Sequence, residues 1–128
     1  MTARHVLVVD DNAGNLAVLG RLLSLQGLTY TPFSDPTRFL DALPSLPDFQ
    51  VAFIDLEMPH VDGYRVLESL RSDPRFAKTH VVAYTVHHLE VNNAREKGFD
   101  SFLAKPVDMD EFPDYLQKIL NGEDVWKY

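Results

Sequence analysis

Cysteine is absent from this 128-residue chain, so disulfide scaffolds, thiolate zinc sites and thiol catalysis are all excluded. Long apolar runs are absent too: nothing approaches the ~20 residues needed to cross a bilayer. Met1-Thr2-Ala3-Arg4 leads into a short apolar stretch with no cleavage site behind it, so a cytoplasmic protein without membrane insertion is expected. Positive charge is scarce. Twelve Lys and Arg stand against nineteen Asp and Glu, a formal charge of -7, which repels phosphate backbones and anionic lipid and argues against direct nucleic-acid binding. No internal repeat or low-complexity tract is present.

What is there suits one soluble domain: 45% of the residues are apolar and 24% charged, enough to bury a single core. Short β-rich runs alternate five times with stretches of helical spacing, a pattern that predicts an α/β fold with a parallel sheet. Val6 to Val9 and Val51 to Ile54 are unbroken apolar runs of the kind covered on both faces. Leu28 to Phe33 alternates apolar with polar residues and contains Pro32, which places it at an edge. Val81 to Tyr84 supplies a fourth strand, and Phe102 to Ala104 a short fifth one at the other edge.

Helix signals fill the gaps. Asn12 precedes the stripe Leu16, Leu19, Leu22 and Leu23, and Asp35-Pro36 opens the next helix. Val66, Leu67 and Leu70 mark the third. Leu89 to Lys97 is thinly apolar, interrupted by Asn92 and Asn93, and ends at Gly98. Asp108 with Glu111 reads as a capping box for a last helix carrying Phe112, Tyr115, Leu116, Ile119 and Leu120. Residues 123–128 hold Trp126 without any period and read as a tail.

The polar residues that matter stand where strands stop. Asp10 and Asp11 follow the first strand, Asp55 the third, Thr85 the fourth and Lys105-Pro106 the fifth. In an open parallel sheet ligands bind beyond the carboxyl ends of strands. If the first and third strands are neighbours, three carboxylates share a few ångströms and need a counter-charge. Hard oxygen ligands without cysteine favour magnesium, which completes its shell with water and phosphate oxygens. Lys105 and Thr85 then suit phosphoryl oxygens, and Asp55 is a candidate nucleophile. Taken singly, each residue has a plainer use: Asp10 and Asp11 as caps, Thr85 as a strand-end hydroxyl, Lys105 as a surface charge. His87 and His88 read as solvated rather than as metal ligands.

The segments VLVVDDN, FIDLEMPHVDGYRVL, VVAYT and DSFLAKP, in this order and spacing, resemble the receiver domains of bacterial two-component response regulators over nearly the whole chain. The resemblance implies a three-layer α/β/α sandwich whose five-stranded parallel sheet has the flavodoxin-like, CheY-like order 2-1-3-4-5. It implies a receiver over residues 1–122, a tail over 123–128 and no output domain. Asp55 would accept a phosphoryl group from a sensor histidine kinase or a histidine phosphotransfer protein, and the switched face would bind a downstream protein target. Asp10, Asp11, Asp55 and the backbone carbonyl of Glu57 would hold one Mg2+. Thr85 and Lys105 would bind phosphoryl oxygens, Phe102 would turn inward as Thr85 moves, and the bond before Pro106 would be cis. The chain would be no enzyme beyond its own phosphorylation and dephosphorylation.

One position departs from the family pattern. Val86 stands where alanine, glycine or serine is usual, and its branched side chain is expected to narrow access to Asp55. Phe102 lacks a tyrosine's hydroxyl, which is expected to bias it inward. Glu57 and His87 occupy positions that, by the same resemblance, tune loss of the phosphoryl group. Two rival readings use the same residues: a constitutive, never phosphorylated interaction module, and a small Mg-dependent phosphatase.

Overall fold

A computed structural model describes residues 4–128. Six parallel strands form one sheet in the order β2-β1-β3-β4-β5-β6. They are β1 (His5–Val9), β2 (Thr29–Phe33), β3 (Val51–Ile54), β4 (His80–Thr85), β5 (Ser101–Ala104) and β6 (Trp126–Lys127). The helices between them are α1 (Ala13–Leu25), α2 (Pro36–Ala42), α3 (Gly63–Ser72), α4 (Val91–Lys97) and α5 (Phe112–Leu120). Alternation along each strand divides the apolar residues between two cores. Leu7, Val9, Ala52, Ile54, Val81, Ala83 and Phe102 face α2, α3 and α4. Val6, Val8, Val51, Phe53, Val82, Tyr84 and Leu103 face α1 and α5. This is the CheY-like sandwich, with one strand more than expected.

The extra strand lies in the segment read as a tail. The Phe102 amide donates to the Val125 carbonyl at 2.8 Å, the Val125 amide donates to Ser101 Oγ at 2.8 Å, and Trp126 pairs with Phe102 in parallel register. Residues 123–128 carry no period because two strand residues are too few to show one. β5 is therefore interior, not an edge, and Ser101, Phe102 and Leu103 are buried. β2, with Pro32 facing outward, is an edge strand as read.

The helix ends follow their local chemistry. Asn12 accepts from the Asn15 amide and Asp35 from the Thr37 amide, each an N-cap. Gly98, at φ 107°, closes α4 in the left-handed region where a side chain would be strained. The segment Leu89 to Lys97 divides into a 3-10 turn over His88–Glu90 and the short α4. Only half of the Asp108–Glu111 capping box forms. Asp108 accepts from the Asp110 and Glu111 amides, but the Glu111 carboxylate takes the Tyr115 hydroxyl instead of turning back. Regular helix begins only at Phe112, because Pro113 has no N–H for the Met109 carbonyl.

Candidate functional site

Parallel register brings the strand-end residues together. Val9 pairs with Ile54, so the next residues, Asp10 and Asp55, emerge side by side at the top of β1 and β3. Backbone bonds hold them: Asp55 N donates to Val9 O at 2.9 Å and Asp10 N to Phe33 O at 3.0 Å. On the far side Thr85 pairs with Ala104, and Lys105 N donates to Thr85 O at 2.8 Å. Each functional side chain thus sits within a residue of the last ladder bond of a buried strand, where the backbone has little freedom.

Asp10, Asp11 and Asp55 each present a carboxylate oxygen, and the three lie within 4.8 Å of one another. Asp10 is buried and Asp11 exposed. The Lys105 ammonium, itself buried, bonds to Asp10 Oδ2 and lies 3.5 Å from Asp55 Oδ2. It also stands 4.9 Å from the centre of the Tyr84 ring. Burial, followed by the Asp10 charge, pushes the Tyr84 hydroxyl up to about 12, so it adds no charge at neutral pH. The Lys105–Pro106 peptide is cis.

Asp55 is the anomalous member. Burial raises its carboxyl above the ordinary value; Lys105 pulls it down and Asp10 pushes it up again. Its Oδ1 is buried and has no hydrogen-bond partner among the described residues. A buried, unpaired carboxylate oxygen is costly, and here it faces two further carboxylates. Three hard oxygen donors with one orphaned atom fit a divalent cation that keeps several waters.

The rim is built from the loops after β3 and β4. The Glu57 side chain leaves the cluster and pairs with His87 Nε2 at 2.9 Å, joining the two loops. Thr85 Oγ accepts from the His87 amide at 3.2 Å, and Val86 is 58% exposed at the mouth. Phe102 is fully buried beneath this rim, its ring stacked near Trp126.

Two positioning residues were not singled out in the sequence. Gly63, at the start of α3, donates to Leu56 O at 2.9 Å, and a Cβ there would lie 2.3 Å from the Asp55 carbonyl oxygen. Only glycine lets α3 approach the loop after β3 so closely. The signal was available: Asp62-Gly63 is a cap followed by the smallest residue. His60 lies at φ 68°, with Val61 N bonded to Pro59 O at 2.7 Å, a tight three-residue turn in the loop that follows Asp55. Strained backbone of this kind clusters at functional loops.

The profile of the response regulator receiver domain matches residues 6–117. The chain belongs to this family. Among curated relatives, the two-component response regulator ORR5 of Oryza sativa subsp. japonica is 28% identical over 120 residues, which span 92% of this receiver and 90% of the rice protein. Protein RcaC of Microchaete diplosiphon is 31% identical over 124 residues, 94% of this receiver but only 19% of that longer protein. Solved structures share the fold. Chemotaxis protein CheY4 of Vibrio cholerae superposes with a TM-score of 0.82 at 20% identity, covering 92% of this receiver and 99% of that chain. The receiver domain of the sensor histidine kinase PA1611 from Pseudomonas aeruginosa gives 0.82 at 23% identity, covering 94% and 99%, and holds a magnesium ion in its active-site cleft. No helix among the described residues is long and apolar enough to cross a membrane.

Proposed function

We propose that this receiver accepts a phosphoryl group on Asp55 from a sensor histidine kinase or a histidine phosphotransfer protein. The observation that carries the reading is the orphaned, buried Oδ1 of Asp55 beside two carboxylates and one ammonium. A plain structural carboxylate at this depth would have both oxygens partnered. Asp10, Asp11 and Asp55, with the Glu57 backbone carbonyl, would hold Mg2+, which when bound offsets the carboxylate charge and that of incoming phosphoryl oxygens.

Asp55 acts as the nucleophile. Its carboxylate oxygen forms a bond to phosphorus as the phosphorus–nitrogen bond of the donor phosphohistidine breaks, and the leaving imidazole takes up a proton. Lys105, held by Asp10 and reaching toward Asp55, neutralises one phosphoryl oxygen as a point charge. The buried Thr85 hydroxyl donates to another. Val86 and the Glu57–His87 pair form the rim and limit how donor and water approach. Phe102 supplies the packed seat behind Thr85 that changes when the hydroxyl moves.

The donor protein needs a surface to sit on. A groove of about 400 Å³ runs between α1 and the loop after β5, lined by Val18, Val86, Lys105, Pro106 and Met109 among others. Val18, Val86 and Met109 are 54%, 58% and 64% exposed, an apolar ring opening beside Lys105. It suits a helix carrying the phosphohistidine. A downstream protein then reads the switched face.

Intact mass after incubation with a small acyl phosphate and Mg2+ tests the reading. A gain of one phosphoryl group, lost with chelator and in Asp55→Asn, is expected. No gain in either the natural chain or Val86→Ala would overturn it in favour of a constitutive binding module. Sustained turnover of a free phosphoester would favour a phosphatase.

A further inference from the structure

We propose that Trp126 is a positioning residue for the switch: by closing the outer side of the Phe102 seat, it makes docking of β6 and the inward position of Phe102 one equilibrium. The link onward to Asp55 rests on the phosphoacceptor reading above.

The contacts converge on one ring. Phe102 is fully buried, and Trp126, its register partner on β6, stacks against it with ring centres 6.3 Å apart and planes inclined by 13°. Tyr128 meets the same ring edge-on at 6.4 Å. Phe102 belongs to the same buried cluster as Val91, Ala94 and Phe99 of the α4 region. Trp126 thus covers one face of the buried Phe102 ring. Displacing Trp126 uncovers a large apolar ring, a burial loss that pulls β6 back onto the sheet.

Two further anchors tie β6 to α4 and to the sheet. The Arg95 guanidinium of α4 lies 4.3 Å from the centre of the Trp126 ring, so a displacement of α4 is felt at β6. From the sheet, the buried Ser101 Oγ accepts the Val125 amide at 2.8 Å and stands 2.7 Å from His80 Nε2. The Phe102 amide itself bonds to Val125 O at 2.8 Å. The exchange rate of that single amide therefore reports whether β6 is docked. Trp126 is the one tryptophan of the chain, which gives a second, optical report.

The test uses full-length chains with Trp126→Ala, Trp126→Phe and Arg95→Ala, followed by residue-resolved amide exchange and aromatic NMR of the Phe102 ring. Trp126→Ala is expected to speed exchange of the Phe102 amide about tenfold and to expose its ring, with the Leu7 amide of β1 unchanged. Trp126→Phe should restore most of the protection, and Arg95→Ala should give a smaller loss in the same direction. Equal acceleration at Phe102 and Leu7 would mean general destabilisation and overturn the positioning role, as would an unchanged Phe102 amide. The rate of mass gain with acyl phosphate and Mg2+ is read on the same samples. A slower gain in Trp126→Ala is expected, and an equal rate would sever the link to Asp55. No gain in the natural chain and none in Val86→Ala would overturn the phosphoacceptor reading and that link together, while the exchange data would still decide the coupling of β6 to Phe102.

Discussion

Replacing Asp55 by asparagine separates the electrostatic cost of the acceptor carboxylate from its chemical use. At an effective dielectric of ~20, the Lys105 ammonium 3.5 Å away attracts the Asp55 carboxylate by about 5 kcal/mol. The oxygens of Asp10 and Asp55 lie within 4.8 Å, which sets their repulsion at about 3.5 kcal/mol or more on the same scale. Asp11 is exposed and its share is screened by water. The attraction exceeds that lower bound on the repulsion by at most about 1.3 kcal/mol, and the loss of hydration outweighs what remains, in line with a carboxyl raised mainly by burial. Without divalent cation, Asp55→Asn is therefore expected to stabilise the fold by about 1–2 kcal/mol at pH 7, a rise in Tm of roughly 3–6 °C. The sign reverses no ordinary rule: a carboxyl raised above 3.8 costs nothing below that pH, where it is protonated folded and unfolded alike. The cost grows as pH rises through the raised value, so the variant's advantage should vanish in acid. Magnesium at 100 times its Kd should add about 2.7 kcal/mol to the natural chain. The variant, one ligand short, should gain less, and the order of stability should invert. Urea or thermal unfolding in chelator and in Mg2+, at pH 7 and in acid, gives all four comparisons. A variant less stable in chelator at pH 7, or an equal Mg2+ shift in both chains, would refute the reasoning.

Other substitutions test single contacts. Val86→Ala is expected to raise phosphorylation by a small acyl phosphate several-fold and to speed loss of the group; time-resolved intact mass measures both, and unchanged rates would remove Val86 as the barrier. Arg71 donates to Ala77 O, Thr79 O, Gly98 O and Asp100, tying α3 to the start of β4 and the end of α4, and Arg71→Ala should cost about 2–3 kcal/mol in urea unfolding. A loss below about 0.5 kcal/mol would show these bonds exchange freely with water. Gly63→Ala should lower stability by more than about 2 kcal/mol and slow acceptance at Asp55, because the new methyl collides with the Asp55 carbonyl; full rate with full stability would show that the loop yields.

The strand ends were legible because parallel strands buried on both faces leave an unbroken apolar run, and the first polar residue after each run must face the same rim. Asp10, Asp55, Thr85 and Lys105 were found this way. Residues whose role depends on depth were not. Gly63 is needed for what it lacks: Asp62-Gly63 signals a helix start, but not that a carbonyl lies 2.3 Å from the missing Cβ. Trp126 was read as a tail because two residues cannot display a strand period, although β5 was already short and half polar. The Asp108–Glu111 box forms only by half because the Tyr115 hydroxyl donates to the Glu111 carboxylate, and Tyr115 lies outside a motif of four positions. Phe76, stacked on Phe49 with ring centres 4.3 Å apart, was invisible for a related reason: it lies in the turn after α3, outside any periodic stripe.

The charge of the site links the stability arguments to signalling. Three carboxylates and one buried ammonium leave a rim of net charge near -2, set within a chain whose formal charge is -7. A phosphoryl donor is itself anionic, so free diffusion into this rim is opposed at every distance that salt does not screen. On the proposed function, acceptance would depend on two compensations with different origins. A divalent cation acts on any donor, large or small. Docking in the apolar ring of Val18, Val86 and Met109 acts only on a protein donor and needs no charge complementarity. The two should be separable by ionic strength: raising salt from about 0.05 M to 0.5 M should speed transfer from a small acyl phosphate while leaving transfer from a docked phosphohistidine protein nearly flat, since apolar contact is insensitive to screening. Val18→Asp should then slow only the protein donor. If it slows both alike, the groove is part of the chemistry and not of recognition.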